Sequence, residues 1–297
     1  MERATARRPR ALLSGAALLI PLVAAPAGLA APPPSRWDVT FAIRITGGTG
    51  QPMTVRLALP ADSQTQQVGD VTVTARGLDA TVVRDGSSPP QVVLQGKLNG
   101  SRRVAVNYSV HREHQLATMP AVVPLPAPPA DLLPFVSPSP VFQSRSILVR
   151  DFLETNVSPL LGAAGNADIM RAILQVTRER LVWDPHGKSL TLDVIRSGKG
   201  KRVGIERAFT TFLRCAHIPA RLVEGLNLAS TTPHKRVFWT EVWAQGHWWP
   251  VSASHGWVGR EPKSYVALTR DGQRVLTVEG PVEASYTVQA VPEDTKT

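Results

Sequence analysis

The residues whose types and spacing could support chemistry lie in one stretch, residues 198–226, which reads GKGKRVGIERAFTTFLRCAHIPARLVEGL. A glycine-flanked basic turn precedes an amphipathic run that predicts a helix over about residues 203–216. The positive end of a helix dipole lowers the pKa of a thiol, so this helix start is where a nucleophile is expected. The residue there is Arg202, which cannot act as a nucleophile. The stretch therefore predicts the frame of a catalytic site without its reactive group.

Cys215 is the one cysteine of the chain, which excludes an intramolecular disulfide and a cysteine-rich metal site. It follows Arg202 by 13 residues on the same predicted helix, or about 20 Å along the axis. We interpret it as a packing residue. A serine at 252 or 254 with His255 is an alternative reactive group, but we find no nucleophile turn that justifies this spacing.

No metal or cofactor is predicted. His111 and His114 are three residues apart on a strand end, which does not place both on one face. Composition predicts a globular protein, with 43% hydrophobic and 19% charged residues and a formal net charge of +10. No block of Lys and Arg with interleaved aromatic residues appears, so nucleic-acid binding is not predicted.

The N-terminus predicts export. Arg7, Arg8 and Arg10 precede an uncharged run over residues 11–31 that closes with small residues. This pattern is typical of a secretory signal over residues 1–30, although the run is also long enough for an uncleaved membrane anchor. Pro21 and Pro26 favour cleavage. We expect a periplasmic or extracellular protein, soluble after this segment or anchored by it.

Residues 31–116 are predicted to form an antiparallel β-sandwich. Short alternating segments are separated by turn signals such as Gly47-Gly48 and Asn99-Gly100. The predicted strands are 37–45, 53–59, 68–75, 80–83, 91–94 and 104–110. Residues 117–145 contain repeated prolines and predict an extended linker that lies along a domain surface.

From residue 146 the apolar period changes. Spacings of three and four residues predict helices over 147–161, 168–181 and 190–196, before the helix of the central stretch. Strands are predicted at 221–226, 237–243, 247–252, 265–268, 275–278 and 286–291. A helical half followed by a sheet makes residues 146–297 an α+β domain.

Three short blocks in this domain resemble one known family. The blocks are Ile218-Pro219-Ala220-Arg221, Phe238-Trp239-Thr240-Glu241-Val242 and Gly246-His247-Trp248-Trp249-Pro250-Val251. In this order they resemble the transglutaminase-like superfamily, which has a papain-like fold and a Cys-His-Asp triad. The resemblance implies a papain-like domain over residues 146–270.

The resemblance assigns the nucleophile position to Arg202, the histidine position to Val237 and the aspartate position to Ser252. Acyl transfer requires a thiolate, an imidazole that forms it and a carboxylate that holds the imidazole. None of these groups is present at the three positions. We therefore expect a catalytically inactive domain.

A narrower resemblance is to inactive bacterial transglutaminase-like domains fused to seven transmembrane helices. It rests on residues 236–243, 265–268 and 276–280. Those families are exported and associated with ATP-grasp peptide ligases and proteases. The resemblance thus implies a membrane protein, an ATP-grasp ligase or a protease system as a partner.

Two groups of residues are candidates for binding. Lys199, Lys201 and Arg202 surround a helix N-terminus and predict an anion site for a peptide carboxylate or phosphate. The alternatives are a solvated loop or an Arg202–Glu206 pair one turn apart.

The second group is aromatic. Trp239, Glu241 and Trp243 alternate onto one face of a strand, and together with Trp248 they predict a groove for a peptide or glycan. Packing is the alternative, especially for Trp239 and Trp248.

The sequence therefore predicts an exported transglutaminase-like pseudoenzyme that binds a peptide, an anionic envelope polymer or a protein partner. One alternative is an active peptidase or acyltransferase with a non-standard constellation. The other is a purely structural envelope module, for which Arg202→Glu and Trp243→Ala would leave every interaction unchanged.

Overall fold

The computed structural model describes residues 35–84, 89–113, 118–161 and 168–293. The predicted signal or anchor and His114 lie outside the described residues. The described residues belong to one compact unit. No helix in the described part of the chain is long and apolar enough to cross a membrane.

The first described residues form an antiparallel sheet built on two long strands. The first five strands are β1 (Arg36–Ala58), β2 (Gln66–Val68), β3 (Thr72–Thr74), β4 (Asp79–Val83) and β5 (Gln91–Arg112). β1 and β5 pair along their whole length, and β2, β3 and β4 pair with the other edge of β5. Alternate side chains of β1 are buried, as the period-two pattern predicts.

The predicted break at Gly47-Gly48 is a bend within one strand. β1 continues through it, and its register with β5 shifts between Gly47 and Pro52. Gly48 has a φ of +83°, and a Cβ there would lie 2.2 Å from the carbonyl oxygen of Leu98. Only glycine accommodates both this φ and this close approach. The Gly47-Gly48 pair therefore marks a bend within β1 and not a turn between two strands.

The proline-rich segment packs on the second part of the protein. It has one short 3-10 helix, Leu133–Phe135, and otherwise lacks regular structure within residues 118–146. The Leu125 amide donates to the carbonyl of His217 at 2.7 Å, and Phe142 is buried beneath the guanidinium of Arg214. These contacts hold the segment against α5 and the residues that follow it.

Five helices and two short strands follow. They are α1 (Ile147–Asn156), α2 (Ser158–Leu161), α3 (Ile169–Arg180), β6 (Val182–Lys188), α4 (Thr191–Ser197), β7 (Lys199–Gly200) and α5 (Arg202–Cys215). The Asp168 side chain caps α3 by accepting from the Arg171 amide at 3.2 Å. β6 and β7 form a small parallel pair that the sequence did not predict. α5 buries Ile205, Phe209 and Phe212 in the core of this part.

A five-stranded antiparallel sheet lies against α5. Its strands are β8 (Ala220–Asn227), β9 (Arg236–Ala244), β10 (His247–Ser252), β11 (Trp257–Val258) and β12 (Tyr265–Arg270), in the order β11-β10-β9-β8-β12. Thr240 of β9 faces α5, where its hydroxyl lies 2.9 Å from that of Thr210.

The last two strands return to the first sheet. β13 (Leu276–Glu279) and β14 (Val282–Pro292) both pair with β1 and make that sheet seven-stranded. The predicted domain boundaries placed β13 and β14 in the domain of residues 146–297. In the structure they pair with β1, because their apolar faces pack with the buried residues of β1 and β5. Leu226 and Val266 of the second sheet also contribute to that core. The predicted α+β class, with a β-rich first part, is confirmed.

Candidate functional site

Arg202 is the first residue of α5 and is half-buried. Its Nη1 donates to the carbonyl oxygen of Ser254 at 3.2 Å, and its guanidinium lies 4.9 Å from the ring centroid of Trp183. Trp183 is half exposed on β6. The guanidinium therefore covers the start of α5, which is where the family resemblance places the nucleophile.

Glu206, one turn further along α5, is the centre of a buried polar cluster. Its carboxylate accepts hydrogen bonds from five donors and is fully shielded from solvent. The donors are Ser252 Oγ (2.6 Å), Ser254 Oγ (2.7 Å), the Ser254 amide (2.8 Å), the Ala253 amide (3.3 Å) and Thr240 Oγ1 (3.3 Å). Burial raises the pKa of Glu206, although these hydrogen bonds oppose the rise.

This cluster bears on the interpretation in which Arg202 pairs with Glu206. An Arg202–Glu206 pair is not formed among the described contacts, because the Glu206 carboxylate turns into the core and Arg202 reaches the backbone of Ser254. The sequence interpretation overlooked Glu206 as a site residue. Its signal was a glutamate on the apolar face of an amphipathic helix.

His255 lies against the same cluster. Its Nδ1 is 3.0 Å from Ser252 Oγ and 3.1 Å from Ser254 Oγ. Burial lowers the pKa of His255 to about 4, and the positive charge of Arg202 contributes. Because both hydroxyls donate to the Glu206 carboxylate, the Nδ1 hydrogen of the neutral ring is left to donate to one of them.

This environment predicts an acid-sensitive fold. A histidine with a pKa of about 4 in the folded state and about 6.5 when unfolded stabilises the protein above pH 6.5. That stability declines as the pH falls from about 6.5 to about 4. We expect His255→Asn to flatten this part of the profile, measured by urea unfolding at pH 7.0 and 4.5. His186→Asn, at an exposed position of β6, is the control and should keep the wild-type slope.

The position that the family resemblance assigns to histidine, Val237, has apolar surroundings. Val237 is buried in an apolar cluster with Val223, Trp239, Tyr265 and Ala267. The Tyr265 ring centroid lies 6.0 Å from both the Trp239 and His255 rings. Arg202 contacts the 252–255 segment through the Ser254 carbonyl. The apolar cluster of Val237 reaches the same segment through Tyr265, which contacts His255, and through Trp257, which pairs with Ser252.

Lys199 and Lys201 are exposed beside Arg202. Lys201 is the N-cap residue of α5, and its side chain makes no capping hydrogen bond. The predicted basic cluster therefore presents two solvated ammonium groups around one engaged guanidinium.

The aromatic group divides between two places. Trp239 is 1% exposed and belongs to the apolar cluster of Val237, as the packing alternative states. Trp243 and Trp248 are half-buried, with ring centroids 5.3 Å apart, and line a cavity of about 290 Å³. Glu241 lines the same cavity.

Cys215 lies at the opposite end of α5 from Arg202. It packs partly against the core, and burial raises the pKa of its thiol. Among the residues that the structure describes, no group of three His, Cys, Asp or Glu side chains is arranged to hold a metal ion.

Comparisons with known proteins agree with this architecture. Residues 157–253 match the family model of the transglutaminase-like superfamily. A crystal structure of a proposed cysteine protease of Cytophaga hutchinsonii has a TM-score of 0.66 at 15% identity, over 88% of this chain and 92% of that one. This likeness shows the fold alone. No curated protein matches the chain.

A second solved structure, a proposed protease of Parabacteroides distasonis, gives a TM-score of 0.29 at 16% identity. It covers 73% of this chain and 47% of that one.

Proposed function

Since the chain carries a transglutaminase-like domain, we propose that it is an exported member of that superfamily that binds a ligand without reacting with it. The ligand would be a peptide, an anionic envelope polymer or a protein partner. The supporting observation is Arg202 at the start of α5, where its guanidinium contacts Ser254 and Trp183. The family resemblance places the thiolate of an active enzyme at this position.

The other triad positions support the same proposal. Val237 has only a buried isopropyl group, and the Ser252 hydroxyl donates its hydrogen bond to the Glu206 carboxylate. Without an imidazole between a thiolate and a carboxylate, the three positions cannot generate a nucleophile.

Two surfaces are suited to ligands. The exposed Lys199 and Lys201 with Trp183 offer charge and an apolar face to an anionic chain. The cavity of Trp243 and Trp248 offers aromatic walls. The family resemblance also predicts a protein partner, which would be a membrane protein, an ATP-grasp ligase or a protease system.

We predict that Cys215 reacts slowly with iodoacetamide in the folded protein. A thiol with a raised pKa at the C-terminal end of a helix is mostly protonated at pH 7 and lacks activation by the helix dipole. Labelling followed by mass spectrometry should be slower in the native protein than in the protein unfolded by urea. Faster labelling of the native thiol at pH 7 would overturn the proposal.

One observation favours the active-enzyme alternative. Ser254 is half-buried and its hydroxyl lies 3.1 Å from His255 Nδ1, so a serine and an imidazole are in contact. The geometry opposes nucleophilic attack, because the Ser254 hydroxyl donates to Glu206 and not to the imidazole. A fluorophosphonate probe distinguishes the two functions, since covalent labelling of Ser254 would establish the enzyme.

The structural-module alternative is tested by binding. A panel of short anionic peptides and envelope-polymer fragments is measured against the wild type and against Arg202→Glu and Trp243→Ala. Our proposal requires at least one ligand whose binding one of these variants weakens. Unchanged binding in both variants would favour a purely structural role.

A further inference from the structure

The cavity of Trp243 and Trp248 is bordered by both sheets of the protein. Arg112 of β5 and Gln66 of β2 come from the first sheet, and Arg221, Glu241 and Arg270 come from the second. Its volume of about 290 Å³ is at the small end for ligand pockets. It suits a single terminal residue rather than an extended chain.

The lining carries an excess of positive charge. Three arginines, at 112, 221 and 270, face two glutamates, at 241 and 261. Arg112 pairs with Glu261, whereas Glu241 pairs with both Arg221 and Arg270. Among these lining residues, three guanidinium charges therefore face two carboxylates, while the neighbouring Asp271 pairs with Arg214.

Glu241, which pairs with both Arg221 and Arg270, is ionised at neutral pH. Burial alone would raise its pKa, but the Arg270 and Arg221 guanidiniums outweigh burial and hold the pKa of Glu241 below its usual value. Glu241 thus contributes one full negative charge and no more. The excess on the two arginines persists across neutral pH.

Unused donors accompany this charge. Arg221 uses only its Nε on Glu241, at 2.6 Å, and its two Nη groups make no hydrogen bond to the described residues. Arg270 uses Nε and Nη2, at 3.2 and 3.4 Å, and leaves Nη1. The fork of a guanidinium matches the two oxygens of a carboxylate.

The Arg221 guanidinium is held in place before any ligand binds. It lies 4.1 Å from the ring centroid of Trp248, which in turn contacts the Phe135 ring at 4.9 Å. Glu241 fixes its Nε edge. Such preorganisation lowers the entropy cost of binding.

Arg112 closes the cavity on the side of the first sheet. It is 3% exposed, and its Nη groups bond to Thr65, Gln66 and Glu261. The Nη groups of the lining arginines that have no acceptor among the described residues are therefore those of Arg221 and Nη1 of Arg270.

We propose that this cavity binds a carboxylate attached to an apolar group, with the carboxylate on Arg221 and Arg270 and the apolar group against Trp243. A C-terminal peptide residue and a free N-acylated amino acid share this chemistry. The proposal rests on the binding half of the proposed function. It does not depend on whether the α5 site is catalytic.

The test is isothermal titration calorimetry on the purified full-length protein with three probes. They are N-acetyl-phenylalanine, the tripeptide acetyl-Ala-Ala-Phe with a free carboxylate, and the same tripeptide as its C-terminal amide. We expect the amide to bind roughly 10- to 100-fold more weakly than the acid, because it loses hydrogen bonds to a charged group. Equal affinity of the two acids indicates a site for free carboxylates, whereas tighter binding of the tripeptide indicates a peptide terminus.

Two variants locate the site. Arg270→Gln should weaken the acid roughly 10-fold or more and leave the amide unchanged. Arg36→Gln, which removes an exposed arginine paired with Glu293 at 3.7 Å, is the matched control and should bind like the wild type. The comparison of acid with amide uses only the wild type, so it stands even if Arg270→Gln fails to fold.

The outcomes separate this inference from the proposed function. If neither acid binds, or if acid and amide bind equally, the carboxylate site is wrong, while slow labelling of Cys215 would still support a non-catalytic domain. If the acids bind as expected and Ser254 reacts with a fluorophosphonate, the carboxylate site stands and the pseudoenzyme proposal fails.

Discussion

Glu206→Ala is expected to lower the free energy of unfolding by about 3–5 kcal/mol, measured by urea denaturation. The substitution removes the acceptor shared by the hydroxyls of Ser252 and Ser254 and by two backbone amides. Buried donors that lose their acceptor cost about 1–3 kcal/mol each, and partial repacking reduces the sum. The cluster joins α5 to the 252–255 loop, so this loop should also lose protection from hydrogen exchange.

A matched variant separates the burial of Glu206 from the loss of any helical glutamate. Glu154 is exposed on α1, and Glu154→Ala should change stability by less than about 0.5 kcal/mol. If Glu206→Ala were equally mild, the cluster would not stabilise the fold.

The charge of Glu206 adds a pH dependence of known sign. Because burial raises the pKa of Glu206, the folded state binds this proton more tightly than the unfolded state. Its contribution to stability is present below the unfolded pKa and is lost as the pH rises through the folded pKa. Glu206→Gln cannot ionise and should remove this slope, whose direction is opposite to that of His255.

Arg214→Ala is the second substitution for which we expect a large loss, again about 3–5 kcal/mol in the free energy of unfolding. The Arg214 side chain is 2% exposed and pairs with Asp271 at 2.8 Å. Its Nε donates to the Ala220 carbonyl at 2.9 Å, and its Nη1 donates to the Pro134 carbonyl at 3.3 Å. Removing it leaves Asp271 without its ion-pair partner and releases the proline-rich segment from α5.

Two variants test this explanation. Arg214→Lys retains the charge but not the planar set of donors, so it should recover only part of the loss. Arg196→Ala removes an exposed arginine paired with Asp193 at 3.4 Å and should be nearly neutral. Full rescue by lysine would show that charge alone holds the segment, contrary to our interpretation.

Several local elements could be predicted from the sequence alone. α5 was predicted over about residues 203–216 and spans Arg202–Cys215, because the helical period of buried residues is a short-range property. The same argument applies to β8, β9 and β10, whose alternation and flanking turns are local. The three motif blocks also suggested the superfamily whose model matches residues 157–253.

Pairing between distant strands lay beyond the sequence. β13 and β14 show ordinary alternation, and nothing in that pattern states which sheet they join. Only the assembled core, in which Val288 packs with the buried residues of β1, places them on the first sheet.

The candidate site divides in the same way. The presence of Arg202 at the start of α5 could be predicted from residue types and spacing alone. Whether Trp239 lines a groove or a core, whether Glu206 meets Arg202 or Ser252, and which arginines surround Glu241 depend on strands far apart in the chain. The environment of a side chain depends on how distant elements pack, so these contacts could not be predicted from local sequence patterns.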